Sequence, residues 1–268
     1  MQSIRQQIPL LAAVLCAVLV FWLALLWLIM DSCHPIVMMT MPMSPAWSAI
    51  NLIAVFSMWV VMMAAMMLPS AIPMILLHNK MSSKSGITFE SLAFILSYLL
   101  IWTLFSIAAV AFQFFTHSGG ILNASSLTTS KIVSIILLLL AGAYQFSELK
   151  NTCLNKCRTP VGFFMGFWKS GVNGAFNMGL RHGLFCLGCC WAIMLLLFVG
   201  GVMNLTWVLL LTIAVVAEKT LPAGELISKV IGVALILSAV YMGYSLVNVQ
   251  SMPPMQSMTM SCMQSMKM

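Results

Sequence analysis

The sequence predicts an all-α protein, a polytopic bundle of about seven transmembrane helices. Hydrophobic side chains make up 62% of the 268 residues and charged side chains only 6%, whereas about a quarter of the residues in soluble proteins are charged. The chain also contains apolar runs whose lengths are close to the ~20 residues that a helix needs to cross a bilayer. They lack the period-two alternation of barrel strands, which favours helices. The predicted spans are residues 10–30, 50–77, 92–115, 132–147, 184–203, 205–217 and 230–248.

The first run, residues 10–30, follows Arg5 and resembles a signal peptide in composition. It is longer than a typical signal-peptide core, and the sequence "MDSCHP" at its end lacks the small residues of a cleavage site. We therefore expect a retained first helix.

The loop at residues 31–49 contains no Lys or Arg but many soft metal ligands. Thioether and thiolate sulfur favour Cu(I), and imidazole binds several transition metals. The candidate ligands of this loop are Cys33, His34, Met38, Met39, Met41 and Met43.

The second run contains methionines at helical spacing, which place their thioethers on one broad stripe. Its members are Met58, Met62, Met63, Met66 and Met67. Pro69 and Pro73 follow, and each removes a backbone hydrogen bond, so we expect exposed carbonyls at a kink. Because Met also fills irregular cores, packing alone is an alternative explanation of the stripe.

Two groups of cysteines border the fourth and fifth spans. Cys153 and Cys157, in "CLNKCRTP", share one face of a helix that Pro160 should end. The sequence "CLGCCW" begins the span at 184–203 and supplies Cys186, Cys189 and Cys190. If helices four and five approach each other at their cytoplasmic ends, five thiols could surround a soft metal. Free structural cysteines and dithiol redox chemistry are the alternatives.

The segment between these cysteine groups, residues 161–183, mixes aromatic, glycine and basic residues. This composition predicts an interfacial helix on the inner side rather than part of a span.

The C-terminal segment, residues 249–268, is predicted to be a disordered tail attached to a membrane domain at 1–248. Its sulfur residues are spaced so that a flexible strand can wrap a small ion, although low-complexity drift would give a similar composition. These candidate ligands are Met252, Met255, Met258, Met260, Cys262, Met263, Met266 and Met268.

Basic residues set the predicted orientation, because Lys and Arg accumulate in cytoplasmic loops. With seven spans, ten of the twelve Lys and Arg residues lie on the same side of the membrane as the N-terminus. The N-terminus is thus predicted inside and the methionine tail outside, in the periplasm. Inner loops near anionic lipid account for the net charge of +7, so no nucleic-acid partner is expected.

Charged residues at the borders of spans are candidates for function by default. Glu148 and the neighbours Glu218 and Lys219 are in this position. We interpret Glu218 and Lys219 as an interfacial ion pair. The motifs of common phosphate-binding proteins and hydrolases are absent from the sequence, so no enzyme activity is expected.

The sequences "MMAAMMLPSAIP", "YQFSELKNTCLNKCRTP", "GCCWAIM" and "NLTWVLLLTIAVVAEK" resemble a bacterial family of predicted metal-binding integral membrane proteins of unassigned function. The resemblance covers roughly residues 50–247. It implies a helical membrane protein with suspected ligands at Met62, Met63, Met66, Met67, Cys153, Cys157, Cys189 and Cys190. We expect a multi-pass protein of the bacterial inner membrane. Ser147 and Glu148 depart from the family pattern, which more often has Thr-Pro there, and the methionine tail is an addition to it.

Together these patterns predict a copper-handling membrane protein. Outer methionines would capture Cu(I), and membrane thioethers would pass it to the inner thiols for transport, delivery or storage, with zinc as the second choice of metal. A periplasmic copper chaperone or a copper enzyme is the expected protein partner. The alternatives are a membrane thiol oxidoreductase and an assembly subunit of a copper enzyme.

Overall fold

The computed structural model of the chain describes residues 7–30, 34–40, 47–82, 88–120 and 128–248. Within these ranges the chain forms helices and no β-strand, which confirms the all-α class. The helices are α1 (Ile8–Met30), α2 (Pro35–Met39), α3 (Ala49–Met81), α4 (Phe89–Ser118), α5 (Lys131–Tyr144), α6 (Glu148–Arg158), α7 (Pro160–Phe167), α8 (Gly171–Leu195), α9 (Leu197–Gly200), α10 (Leu205–Thr220) and α11 (Gly224–Asn248).

Five helical segments of the described chain are long and apolar enough to cross a membrane: α1, α3, α4, α8 with α9, and α11. Helices α5 and α6 form a pair bent by 65°, which adds a sixth candidate if the pair is one broken span or a re-entrant loop. Helix α10 has 16 residues and a length of about 24 Å, shorter than the ~30 Å hydrocarbon core. The number of seven spans and their orientation stay predictions.

Helix α3 begins at a capping box and continues through both of its prolines. The Ser48 side chain accepts a hydrogen bond from the Asn51 backbone, and the Asn51 side chain accepts one from the Ser48 backbone. These bonds satisfy donors at the helix start. Pro69 and Pro73 lie inside the helix, which ends only at Met81.

The predicted interfacial helix at 161–183 is wrong. Helix α7 ends at Phe167, and a turn at Gly171, with φ of +83°, starts α8. Residues 171–183 are therefore the first half of a long helix. The glycines of this half allow α8 to pack closely on α4, as small residues do in membrane bundles. A Cβ added to Gly179 would lie 2.3 Å from the Phe94 carbonyl oxygen.

The interior of the bundle is bounded by α3, α4, α6, α8 and α10. Helix α8 packs on α4 and α6, and α3 packs on α1, α4 and α10. Helices α1 and α11 leave much of their apolar surface exposed, including Leu23, Leu237 and Tyr241. Apolar surface of this extent on a protein marks contact with a membrane or another protein.

Candidate metal centre

The methionine stripe of α3 faces the interior of the protein. Each of its five thioether side chains is at most 3% exposed. These five methionines are Met58, Met62, Met63, Met66 and Met67. A continuous row of buried sulfur serves packing, and it also offers soft donors along about 14 Å of helix axis.

The cysteines of α8 lie far from the end of their helix, which corrects the predicted position at the start of a span. Helix α8 begins at Gly171, so Cys186 lies about 22 Å along the axis from its first residue. Cys186, Cys189 and Cys190 are buried in the core. The thiols of Cys189 and Cys190 both donate to the Cys186 carbonyl oxygen, at 3.1 and 2.8 Å.

Helix α6 brings the other two cysteines against this group. It ends at Arg158, just before Pro160, as expected. The Cys157 thiol interacts electrostatically with the Cys189 thiol. Cys153 approaches α8 closely because residue 188 is glycine: a Cβ there would lie 2.8 Å from the Cys153 sulfur. The structure thus brings the two predicted thiol groups together, and we call these five residues the thiol centre.

A lysine and a tyrosine join the thiol centre to the methionine stripe. The Lys219 ammonium donates to the Cys186 sulfur at 2.8 Å and to the Ser70 hydroxyl at 3.1 Å. The Tyr98 hydroxyl lies 3.1 Å from the Cys186 sulfur and donates to the Met67 carbonyl oxygen at 3.1 Å. Ser70 also donates to that carbonyl, at 2.9 Å. The Met67 carbonyl oxygen and the Cys186 sulfur are therefore linked through the Tyr98 hydroxyl.

Glu218 and Lys219 do not form the interfacial ion pair that the sequence suggested. Both are buried, and their side chains reach different partners. Glu218 accepts two hydrogen bonds from the fully buried Lys150, at 2.8 and 3.0 Å. Gln145 also accepts from Lys150 and receives a hydrogen bond from Ser228 at 2.9 Å. Glu218 and Lys150 thus satisfy each other and leave Lys219 to the thiols.

Sequence reasoning missed Lys150, Tyr98 and Ser70 as parts of this site. Lys150 was counted among the inner basic residues, although it is 0% exposed. Without the buried Lys150 and Lys219, eight Lys and Arg residues lie on the predicted inner side and two on the outer side. The excess of inner basic residues still favours the predicted orientation. The signal that could have drawn attention to Lys150 was its position between a run of apolar residues and the "CLNKC" sequence.

Glu148, the other charged candidate, is exposed in the first turn of α6. An acidic side chain there stabilises the helix through its dipole, which explains the residue without a role in metal binding.

Among the described residues, no three His, Cys, Asp or Glu side chains are arranged to hold a metal ion. The fit to a metal therefore depends on pairs of thiols and on neighbouring thioethers. The thiols of Cys157 and Cys189, which come from two helices, form the best pair.

The outer candidate ligands are only partly described by the structure. His34 precedes α2, and Met38 and Met39 end it. The Asn51 side chain donates to the Met39 carbonyl oxygen at 3.2 Å, which ties α2 to the start of α3. The Met38 side chain is 48% exposed. The remaining outer candidates lie outside the described residues: Cys33, Met41, Met43, Met252, Met255, Met258, Met260, Cys262, Met263, Met266 and Met268.

Comparison with known proteins identifies a copper-related family. The family model PpoB2, described as a copper chaperone, matches residues 56–242, more than half of the chain. The match includes the methionine stripe and all five cysteines of the thiol centre. No curated protein and no solved structure matched the chain.

Proposed function

We propose that the chain, which belongs to the PpoB2 copper chaperone family, carries Cu(I) on the thiols between α6 and α8. The observation that supports this most directly is the group of buried thiols from α6 and α8 beside the buried Lys219 ammonium, which donates to the Cys186 sulfur at 2.8 Å. Thiolates are soft ligands that select Cu(I). The metal is the cargo of the protein in this proposal.

Charge balance favours a cuprous ion at this place. A Cu(I) ion held by two thiolates has a net charge of −1, and the buried Lys219 ammonium interacts with Cys186, Cys189 and Cys190. An ion pair of this kind offsets the cost of burying each charge. Structural zinc sites use four ligands in a tetrahedral arrangement. The lack of a three-ligand group among the described residues makes zinc the poorer fit.

The route to this site follows the soft ligands along the chain. Cu(I) is captured by the methionine tail and the loop at residues 31–49, on the periplasmic face of the bacterial inner membrane. It then exchanges between thioethers of the α3 stripe until it reaches Met67, whose carbonyl oxygen is linked to the Cys186 sulfur through the Tyr98 hydroxyl. Each step replaces one soft donor with another, so the ion is never stripped into water.

The thiol site is tested by removing the Cys157 and Cys189 sulfurs. Cu(I) equivalents and copper X-ray absorption are measured for Cys157→Ser and Cys189→Ser, with Cys16→Ser as control because Cys16 is exposed on α1. We expect each of the first two variants to lose tightly bound Cu(I) and short copper–sulfur scattering, and the control to keep both. Wild-type levels in Cys157→Ser and Cys189→Ser would overturn the proposal, as would zinc as the bound metal.

The Cys157–Cys189 contact also favours a second function, as a thiol oxidoreductase. The two thiols can form a disulfide while a disulfide of a partner protein is reduced to two thiols, so two electrons and two protons pass to the partner. Trapping in membranes distinguishes the functions. A mixed disulfide with a partner on a Cys157→Ser or Cys189→Ser variant supports redox work, whereas thiols protected by bound copper support the chaperone.

A further inference from the structure

A polar cavity lies at the opposite end of α3 from the loop at residues 31–49. Its volume is about 340 Å³, and it lies between the end of α3, the first turn of α4 and the start of α8. His78, Met81, Glu90 and Lys169 line it. None of these residues belongs to the thiol centre or to the methionine stripe.

His78 is the main polar feature of this cavity. Its side chain is only 2% exposed, and its Nδ1 atom has no hydrogen-bond partner among the described residues. A buried polar atom without a partner is costly, and such atoms often indicate a role in binding. Met81 lies one helical turn further on, so its thioether shares a face with the imidazole. The Glu90 carboxylate interacts electrostatically with His78 and accepts a hydrogen bond from Ser82.

A line of stacked rings joins this cavity to the thiol centre. The His78 ring stacks on Phe94 with centroids 4.9 Å apart, and Phe94 stacks on His182 at 6.0 Å. His182 in turn stacks on Tyr98 at 5.4 Å, and the Tyr98 hydroxyl contacts Cys186. His182 is also buried, and its Nδ1 atom lacks a partner in the described chain. One imidazole with an unpaired nitrogen, that of His182, thus lies between the thiols and the cavity, and a second, that of His78, lines the cavity.

We propose that this cavity is a second Cu(I) site, from which the ion leaves for its acceptor. The inference rests on the proposed copper function. The His78 imidazole and the Met81 thioether supply two soft or borderline donors, and the acceptor supplies the next one. The Glu90 carboxylate balances the charge of the ion. Lys169, also on the cavity wall, attracts an acceptor whose donor is a thiolate.

The experiment measures copper transfer from the full-length protein in detergent. The protein is loaded with Cu(I), and transfer to an excess of a cuprous chelator is followed for wild type, His78→Gln and Met81→Leu. Met165→Leu is the matched control, because Met165 is 81% exposed on α7 and does not line the cavity. X-ray absorption of each loaded protein reports the thiol-bound copper and any copper–nitrogen scattering.

We expect transfer to be at least tenfold slower in His78→Gln and Met81→Leu, with thiol-bound copper unchanged, and to match wild type in Met165→Leu. Loss of copper–nitrogen scattering in His78→Gln would support the same site. Wild-type transfer rates in Met81→Leu and in folded His78→Gln, with the thiols still loaded, would overturn this inference alone. A wild-type protein without any thiol-bound copper would instead overturn the proposed function, and this inference with it.

Discussion

Lys219 and Cys186 are in direct contact, at 2.8 Å, although the lysine is only 9% exposed and the cysteine 0%. An ammonium ion in such a position requires a nearby anion, because an unpaired buried charge is strongly destabilising. The carboxylate next to it in sequence, Glu218, is engaged by Lys150. Lys219 therefore faces the Cys186 thiol and the Ser70 hydroxyl, and a thiolate at Cys186 would balance its positive charge.

Replacing Lys219 tests this relationship. In Lys219→Gln the charge is lost but a polar side chain remains, so we expect weaker Cu(I) binding by about tenfold to a hundredfold, since hydrogen bonds to charged groups contribute about 1.5–3 kcal/mol. Competition with a cuprous chelator measures the affinity. Lys156→Gln is the control, because Lys156 is exposed on α6. Equal affinities for the two variants would show that the ammonium plays no part in binding.

The Lys150–Glu218 pair is predicted to support the fold rather than to bind copper. Glu218→Gln leaves the buried Lys150 without its counter-charge, which typically lowers the free energy of unfolding by ~3–5 kcal/mol. The double variant Lys150→Met with Glu218→Leu removes both charges, and we expect much of that loss to be recovered. Thermal unfolding in detergent provides the comparison, with the exposed Glu148→Gln as control. A double variant less stable than Glu218→Gln would contradict this account.

Close packing between α4 and α8 predicts a strong effect of a single methyl group. In Gly179→Ala the new Cβ would lie 2.1 Å from the Ser97 hydroxyl and 2.3 Å from the Phe94 carbonyl oxygen. Because the backbone can move aside only at a high energetic cost, we expect the free energy of unfolding to fall by about 1–3 kcal/mol. In Gly166→Ala the Cβ meets nothing within 4 Å. Unfolding measurements should therefore separate the two variants, and equal stabilities would refute the packing.

In the proposed function, the capture step depends on the methionine tail. Changing all seven of its methionines to leucine keeps the apolar volume but removes the soft donors, so we expect fewer bound Cu(I) equivalents and slower loading of the thiols. Elemental analysis and loading kinetics provide the measurement. A variant in which the four serines of the tail become alanines controls for altered composition. Unchanged binding after the methionine replacement would discard the capture step.

The helices and the methionine stripe were predictable, because both depend on local periodicity in one segment. The depth of the α8 cysteines was not predictable, because Arg181 and His182 interrupt the apolar sequence just before them. In the structure Arg181 is exposed and lies over the Phe167 ring at 4.9 Å, whereas His182 stacks among buried aromatic rings. One helix therefore accommodates both polar residues on different faces.

The partners of Lys150 and Lys219 were also not predictable from the sequence. Lys150 meets Glu218 across 68 positions of the chain, and Lys219 meets Ser70 across 149. A single sequence shows that a lysine borders a span but not which distant helix lies beside it. Only the packing of α3, α6, α8 and α10 determines these contacts.

The burial of both the stripe and the thiol centre has a kinetic consequence. An ion cannot reach Met63 or Cys190, each at most 1% exposed, unless neighbouring helices separate for a moment. Exchange with the surroundings should then be timed by these fluctuations rather than by the strength of the metal–sulfur bonds. If the thiol centre binds Cu(I) as proposed, the protein can hold the ion tightly and still protect it from oxidants and competing chelators between openings.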